Sequence, residues 1–146
     1  MQTAFHVPRI PVDDDLLLRP WHIGDLPLVR EAAEVAGDRG LGTVGLWPNA
    51  TDAGRAAVGY WVAGSARGRG VAAAALRTVC TWALDDLGFE RLELYVEPWN
   101  TASRKTAVQA GFSYEGLHRA WQPVGGERRD MMSYSRLATD PAETVD

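Results

Sequence analysis

A single cysteine, Cys80, leaves no partner for an intramolecular disulfide and fits a reducing compartment. There is no signal-peptide pattern and no apolar run long enough to span a bilayer, so a cytoplasmic protein is expected. Basic residues are in deficit, with 15 Lys and Arg against 19 Asp and Glu and a net charge of −4. That argues against a nucleic-acid protein, which normally carries a basic excess. The three histidines, His6, His22 and His118, lie at no spacing from Cys80 or the carboxylates that would build a metal site, so no metal is expected. No internal repeat is visible.

What is present suits one packed unit. With 146 residues, 46% of them hydrophobic, the chain reads as one domain over 1–146, with an extended lead-in at 1–15 and a polar tail at 139–146. A short strand is expected at Leu16–Trp21, a helix at Leu26–Ala36 and a glycine-interrupted strand at Leu41–Trp47.

The organising stretch is Trp61-Val62-Ala63-Gly64-Ser65-Ala66-Arg67-Gly68-Arg69-Gly70-Val71-Ala72. The preceding Ala57–Val62 reads as a strand, rich in β-branched and aromatic residues. A helix is expected from Val71 to Leu87, because Leu76, Val79, Cys80, Ala83, Leu84 and Leu87 fall on one face. Gly88 is placed to close it in the left-handed conformation. Between strand and helix, the glycines keep Cβ atoms away from the backbone, and the first helical amides have no intrahelical partner. With Arg67 and Arg69 beside them, these amides form an anion site suited to phosphate or pyrophosphate. No Gly-Lys-Ser or Gly-Lys-Thr opens the helix and the glycine spacing is not that of a dinucleotide fingerprint, which argues against both nucleotide motifs.

Downstream, Leu92, Leu94 and Val96 alternate with Glu93, Tyr95 and Glu97, so Arg91–Glu97 is a strand. Strand, helix and strand then form a βαβ unit whose strands run parallel, with the anion loop at the carboxyl end of the first. Pro98 breaks the second strand. A short helix at Thr101–Ala110 follows, closed by Gly111. Phe112–Trp121 and Arg128–Leu137 read as a hairpin with its tip at Gly125-Gly126.

Arg67-x-x-Gly70-x-Ala72 after Gly59-Tyr60-Trp61-Val62 resembles the acyl-CoA motif of the GNAT superfamily of N-acyltransferases. The surrounding residues resemble its Rim-type branch, which acetylates protein N-termini. Leu18-Arg19-Pro20-Trp21 resembles the opening strand. Asn100-Thr101-Ala102-Ser103 with Ala110-Gly111-Phe112 resembles the second CoA segment, and Arg129-Asp130 with Tyr134-Ser135 the last strand. The resemblance covers about Leu16 to Ala138.

It implies a single-domain α/β (α+β) fold: a mixed, mostly antiparallel sheet with a central splayed parallel pair, flanked by helices. It implies acetyl-CoA as cosubstrate, lying between the splayed strands. The pantetheine would pair with Trp61, Val62 and Ala63. The pyrophosphate would sit on the amides of Arg67, Gly68, Arg69, Gly70, Val71 and Ala72. Asn100 would contact the pantetheine, and Ser103 would be the proton donor to the leaving thiolate. Asn100 also reads as an N-cap and Ser103 as a first-turn polar residue. Many members use a tyrosine four residues before the Gly-Phe pair; here it is Ala107, which leaves Ser103 or water.

Glu97 is the first candidate base and Glu115 the second, although each also reads as a solvated strand carboxylate. The acid that many relatives carry two residues before the central strand's glycine is Ala57. Relatives place a second helix and a further strand where this chain has only Gly37 to Arg55. The acceptor side should therefore be pared down or completed by a second subunit, so a homodimer is a possibility, with Trp99 and Trp121 near an open rim. Trp47, Trp61, Trp99 and Trp121 could line an acceptor groove, with core packing the safer reading for Trp61. Cys80 belongs to the core. Two functions remain: acetyl transfer to a primary amine, whether a protein N-terminus, a peptide or a small amine, and a non-catalytic acyl-CoA-binding module with a degenerate acceptor site.

Overall fold

The computed structural model describes residues 10–11, 17–18, 42–62, 68 and 70–141. The expected helix at 26–36 lies outside them. So do most of the lead-in and opening strand, His6 and His22, the loop residues Ala63, Arg67 and Arg69, and the tail beyond Pro141. Two short strands, β1 (Ile10–Pro11) and β2 (Leu17–Leu18), pair antiparallel.

The main sheet contains β3 (Gly42–Pro48), β4 (Arg55–Val62), β5 (Arg91–Val96), β6 (Ser113–Val124) and β7 (Glu127–Leu137), in the spatial order β3-β4-β5-β7-β6. Helix α1 (Val71–Asp85) links β4 to β5, and α2 (Thr101–Gln109) links β5 to β6. Only β4 and β5 run parallel; the other neighbours are antiparallel. The hairpin turns at Gly125 and Gly126, whose φ values of 59° and 84° match the positive-φ geometry favoured in two-residue hairpins.

The parallel pair holds together over three residue pairs, Arg55↔Arg91, Ala56↔Leu92 and Ala57↔Glu93. Beyond Ala57 the strands no longer pair with each other, and a wedge opens toward their carboxyl ends. The core beneath is formed by Ala56 and Val58 of β4, Leu92, Leu94 and Val96 of β5, and Leu76, Cys80 and Ala83 of α1. Leu76 and Leu92 are fully buried; each such side chain contributes roughly 1.5–3 kcal/mol. Gly88 follows α1 with φ 78°, as its closing role requires.

The other face of β5 departs from simple alternation. Glu93 is buried at 7% exposure rather than facing water. Its Oε1 accepts from Arg55 Nε at 2.8 Å and Arg91 Nε at 2.9 Å, and its Oε2 from Tyr95 Oη at 2.8 Å. Glu93 thus staples β4 to β5 at the last pair before they part. Burial alone would raise its carboxyl pKa, but hydrogen bonds from Arg91, Tyr95 and Arg55 hold it below the ordinary value. A depressed folded-state pKa gives stability that is complete above the unfolded carboxylate pKa and is lost as pH falls through the folded value. Glu93→Gln should therefore lose about 1–3 kcal/mol at neutral pH. Its further loss on acidification below about pH 5 should be shallower than in the native chain. Thermal melts from neutral to acid pH measure both, and parallel acid limbs would refute the assignment.

Two sequence expectations shift in detail. The β3 glycines are packing devices: Gly45 pairs with Gly59, and the indole of Trp47 lies across both, 3.1 Å from where a Cβ at Gly59 would stand. β6 does not run evenly through Trp121, because its register with β7 shifts between His118 and Gln122. Ala120 there takes φ 47°, held by Asp130 Oδ1 accepting from its amide at 2.7 Å and by Arg128 Nε donating to its carbonyl at 2.9 Å. The shift brings the Trp121 ring to 5.7 Å from Tyr95 and 4.4 Å from His118, between centroids. The expected tail begins with an ordered turn, in which Leu137 N donates to Asp140 Oδ2.

Candidate active site

The wedge between β4 and β5 opens into a cavity of about 710 Å³, within the range of small-molecule and cofactor sites. From β4 come Tyr60, Trp61 and Val62. Gly68, Gly70, Val71 and Ala72 form the wall at the start of α1. Asn100 and Ser103 face them from α2. Of the residues expected to hold acyl-CoA, these are brought together; Ala63, Arg67 and Arg69 lie outside the described residues.

Among the described residues, no side chain caps the start of helix α1. Gly70 is its N-cap residue, with φ 71° and ψ 9°, and no acidic residue occupies the first turn. The first intrahelical bond is Ala74 N to Gly70 O at 3.0 Å, so the amides of Val71 to Ala73 point out of the helix end. Among the described residues, a Cβ built on Gly70 or Gly68 meets nothing within 4 Å. The glycines are needed for their left-handed backbone, and the space in front of them is open to a ligand. These donors and the helix dipole suit the pyrophosphate of acyl-CoA.

Across the cavity, Asn100 caps α2: its Oδ1 accepts from Ser103 N at 3.1 Å. The capping expectation for Asn100 holds, and its place in the cavity wall leaves the ligand role open to it as well. Ser103 is not the cap. Its Oγ accepts from Tyr60 Oη at 2.9 Å, a partner the sequence reading did not single out. Ala102, Lys105, Thr106 and Gln109 add to the wall from α2, and Lys105 is the only lysine in the chain. Helical spacing from Ser103 could have suggested only Thr106, at i+3; Lys105, Thr106 and Gln109 follow Ala102 at i+3, i+4 and i+7. Ala107, at the tyrosine position of many relatives, is fully buried and sends nothing into the cavity.

The two carboxylate candidates lie elsewhere. Glu97 follows β5 on the face opposite Leu94 and Val96, outside the cavity wall, with Arg129 Nε 3.9 Å from its Oε1. Glu115 is ion-paired with Arg91. Arg91 opens the six-residue β5, whereas Ser103 lies past the strand's far end, roughly 20 Å away. The Arg91 hydrogen bond holds the Glu115 carboxyl below its ordinary range, so Glu115 suits the role of base neither in place nor in basicity. Cys80 is buried and its thiol is pushed up to about 12 by desolvation, against a lesser opposing effect of Arg136. It cannot serve as an acyl carrier. Among the described residues, no group of three or more His, Cys, Asp and Glu could hold a metal, and no helix is long and apolar enough to cross a membrane.

The sequence profile described as "Acetyltransferase (GNAT) domain" matches residues 28–113, more than half of the chain. The chain is 34% identical over 83 residues to "Putative ribosomal N-acetyltransferase YdaF" of Bacillus subtilis strain 168, covering 57% of this chain and 45% of that protein. It is 30% identical over 115 residues to the uncharacterized N-acetyltransferase p20 of Bacillus licheniformis, covering 79% and 62%. Among solved structures, Mycobacterium smegmatis RimJ in complex with CoA-disulfide aligns with a TM-score of 0.62 and 32% identity, over 67% of this chain and 47% of that one. The chain thus spans between 45% and 62% of the length of these relatives.

Proposed function

We propose that this chain, which belongs to the GNAT acetyltransferase family, transfers an acetyl group from acetyl-CoA directly to a primary amine on a protein N-terminus, a peptide or a small molecule. The observation that carries this reading is the start of α1, uncapped by any side chain among the described residues, facing Ser103 across one cavity. One wall can hold the pyrophosphate and the other offers a hydroxyl where the sulfur would lie. The residues present fit CoA: open space in front of Gly68 and Gly70, outward amides, and a strand edge parted from β5. A CoA-bound relative and the ribosomal name of another support the same reading.

Trp61 and Val62 would flank the pantetheine, with Ala63, Arg67 and Arg69 continuing the phosphate loop. Asn100 would meet the pantetheine arm. The buried Cys80 supports direct transfer rather than an acyl-enzyme. Ser103 is assigned as the proton donor to the thiolate. Glu97 is assigned as the base, acting through water from the opposite face of the sheet, where the amine would enter.

Glu97→Gln should lower the rate mostly at low pH, where the amine is protonated, and progressively less as pH rises past the terminal-amine pKa of about 7.7–8.0. A pH–rate profile parallel to the native one would remove Glu97 from the mechanism. Thiol release from acetyl-CoA against a panel of peptides and small amines tests the function as a whole. Acetyl-CoA binding with no turnover across that panel would favour the binding-module reading, for which Ala57 in place of an acid is the supporting feature. Trp99 at 71% and Trp121 at 45% exposure support a homodimer completing the acceptor side. Light scattering that gives only a monomer at high concentration would refute it.

A further inference from the structure

We propose that Tyr60 is a positioning and relay residue for Ser103: its phenol fixes the serine hydroxyl and resupplies the proton that the serine gives to the CoA thiolate. The proposal rests on Ser103 acting as the donor. Tyr60 lies on the helix-facing side of β4 and packs partly against the core, while its ring also reaches the cavity wall. Its hydroxyl donates to Ser103 Oγ at 2.9 Å, and the Ser103 amide donates to Asn100 Oδ1 at 3.1 Å. Ser103 is therefore gripped at two atoms from two different elements. A phenol has one proton, and here the serine oxygen receives it. The serine's own proton is left to point at a group in the cavity.

The chemistry explains why a lone serine would be a poor choice. An aliphatic hydroxyl is about as weak an acid as water, far weaker than a thiol, near 8.5, or a phenol, near 10. Serine alone would be left as an alkoxide after protonating a thiolate. Coupled to Tyr60, the charge ends on a phenolate, whose acidity is close to that of the thiol. The C–S bond breaks with its electron pair on sulfur, and sulfur takes the Ser103 proton. Ser103 Oγ then takes the Tyr60 proton, and Tyr60 is reprotonated from water. The amine gives up its own proton on the other side, so the net transfer is from nitrogen to sulfur and needs no oxidant or reductant. With Ala107 buried, Tyr60 is the phenol that reaches this cavity among the described residues.

The test uses the full chain, with CoA and desulfo-CoA, the analogue lacking the sulfur, titrated by calorimetry from about pH 7 to pH 9.5, across the thiol pKa. In the native chain the preference for CoA over desulfo-CoA should grow on the order of tenfold as the thiol ionises, because the oriented hydroxyl donates to the thiolate. Ser103→Ala should abolish that growth. Tyr60→Phe should remove most of it, and the double variant should match Ser103→Ala alone, since partners in one network are not additive. A merely structural Tyr60 would move both affinities together and leave their ratio unchanged. If Tyr60→Phe keeps the native ratio while Ser103→Ala loses it, the Tyr60 assignment is overturned and the serine stands. If Ser103→Ala also keeps the ratio, the serine reading fails and Tyr60 with it. Should Tyr60→Phe not fold, 3-fluorotyrosine at position 60 keeps the ring and makes the phenol more acidic. The pH dependence should then move to lower pH, and an unmoved profile overturns the proposal.

Discussion

Ser103→Ala is expected to lower kcat on the order of 10²-fold or more while leaving acetyl-CoA affinity nearly unchanged, the signature of a lost general acid. The hydroxyl does little else that the variant would disturb. Asn100 caps α2 through the Ser103 backbone amide, which alanine retains. The structural loss is then the Tyr60 hydrogen bond, on the order of 0.5–1.5 kcal/mol. Stability and rate should therefore separate, with a small change in melting temperature beside a large change in turnover. Ser103→Cys should recover part of the rate, because a thiol can also carry the proton. Steady-state kinetics with any amine that supports thiol release decides it. A native kcat in Ser103→Ala would leave water as the donor.

The site was legible in the sequence where local chemistry sets local structure. Gly88 announced left-handed backbone and adopts it at φ 78°, whereas Gly68 and Gly70, expected only to keep Cβ atoms off the loop, turn out to be left-handed as well, at φ 78° and 71°. Asn100 announced a cap, and it is one. The periodicities of Val71–Leu87 and Arg91–Glu97 returned α1 and β5 within two residues at each end. What stayed hidden depends on pairs far apart in the chain. Tyr60 and Ser103 are separated by 43 positions, and nothing local to either names the other. Glu93 reads as a solvent-facing strand residue until Arg55, 38 positions away, is laid against it. Glu115 stood as the second candidate base, after Glu97, until the pairing of β5 with β7 and β7 with β6 placed it beside Arg91. The bulge at Ala120 carries no glycine to mark it; its positive φ is supported by Asp130 and Arg128 across the hairpin.

Gly70→Val is expected to weaken CoA binding by roughly 10- to 100-fold, the loss of about 1.5–3 kcal/mol in charge-assisted hydrogen bonds between the α1 amides and the pyrophosphate. Two effects act together. Valine at φ 71° is strained, by about 1–2 kcal/mol, so the first turn of α1 should rotate away from its present aim. Its side chain would also fill the open space before the helix that the ligand's phosphates need. Gly88 provides a matched control at the other end of the same helix. It has φ 78° and equally open surroundings, but it is no part of the cavity wall. Gly88→Val should cost a similar amount of stability through the same backbone strain and leave CoA affinity intact. Calorimetry and melting curves on the pair separate the readings. If both variants lose stability and neither loses CoA, the helix start is an ordinary turn and the phosphates bind elsewhere. If only Gly70→Val loses CoA, the α1 amides hold them, and adding Arg67→Ala should deepen the loss and reduce its dependence on salt.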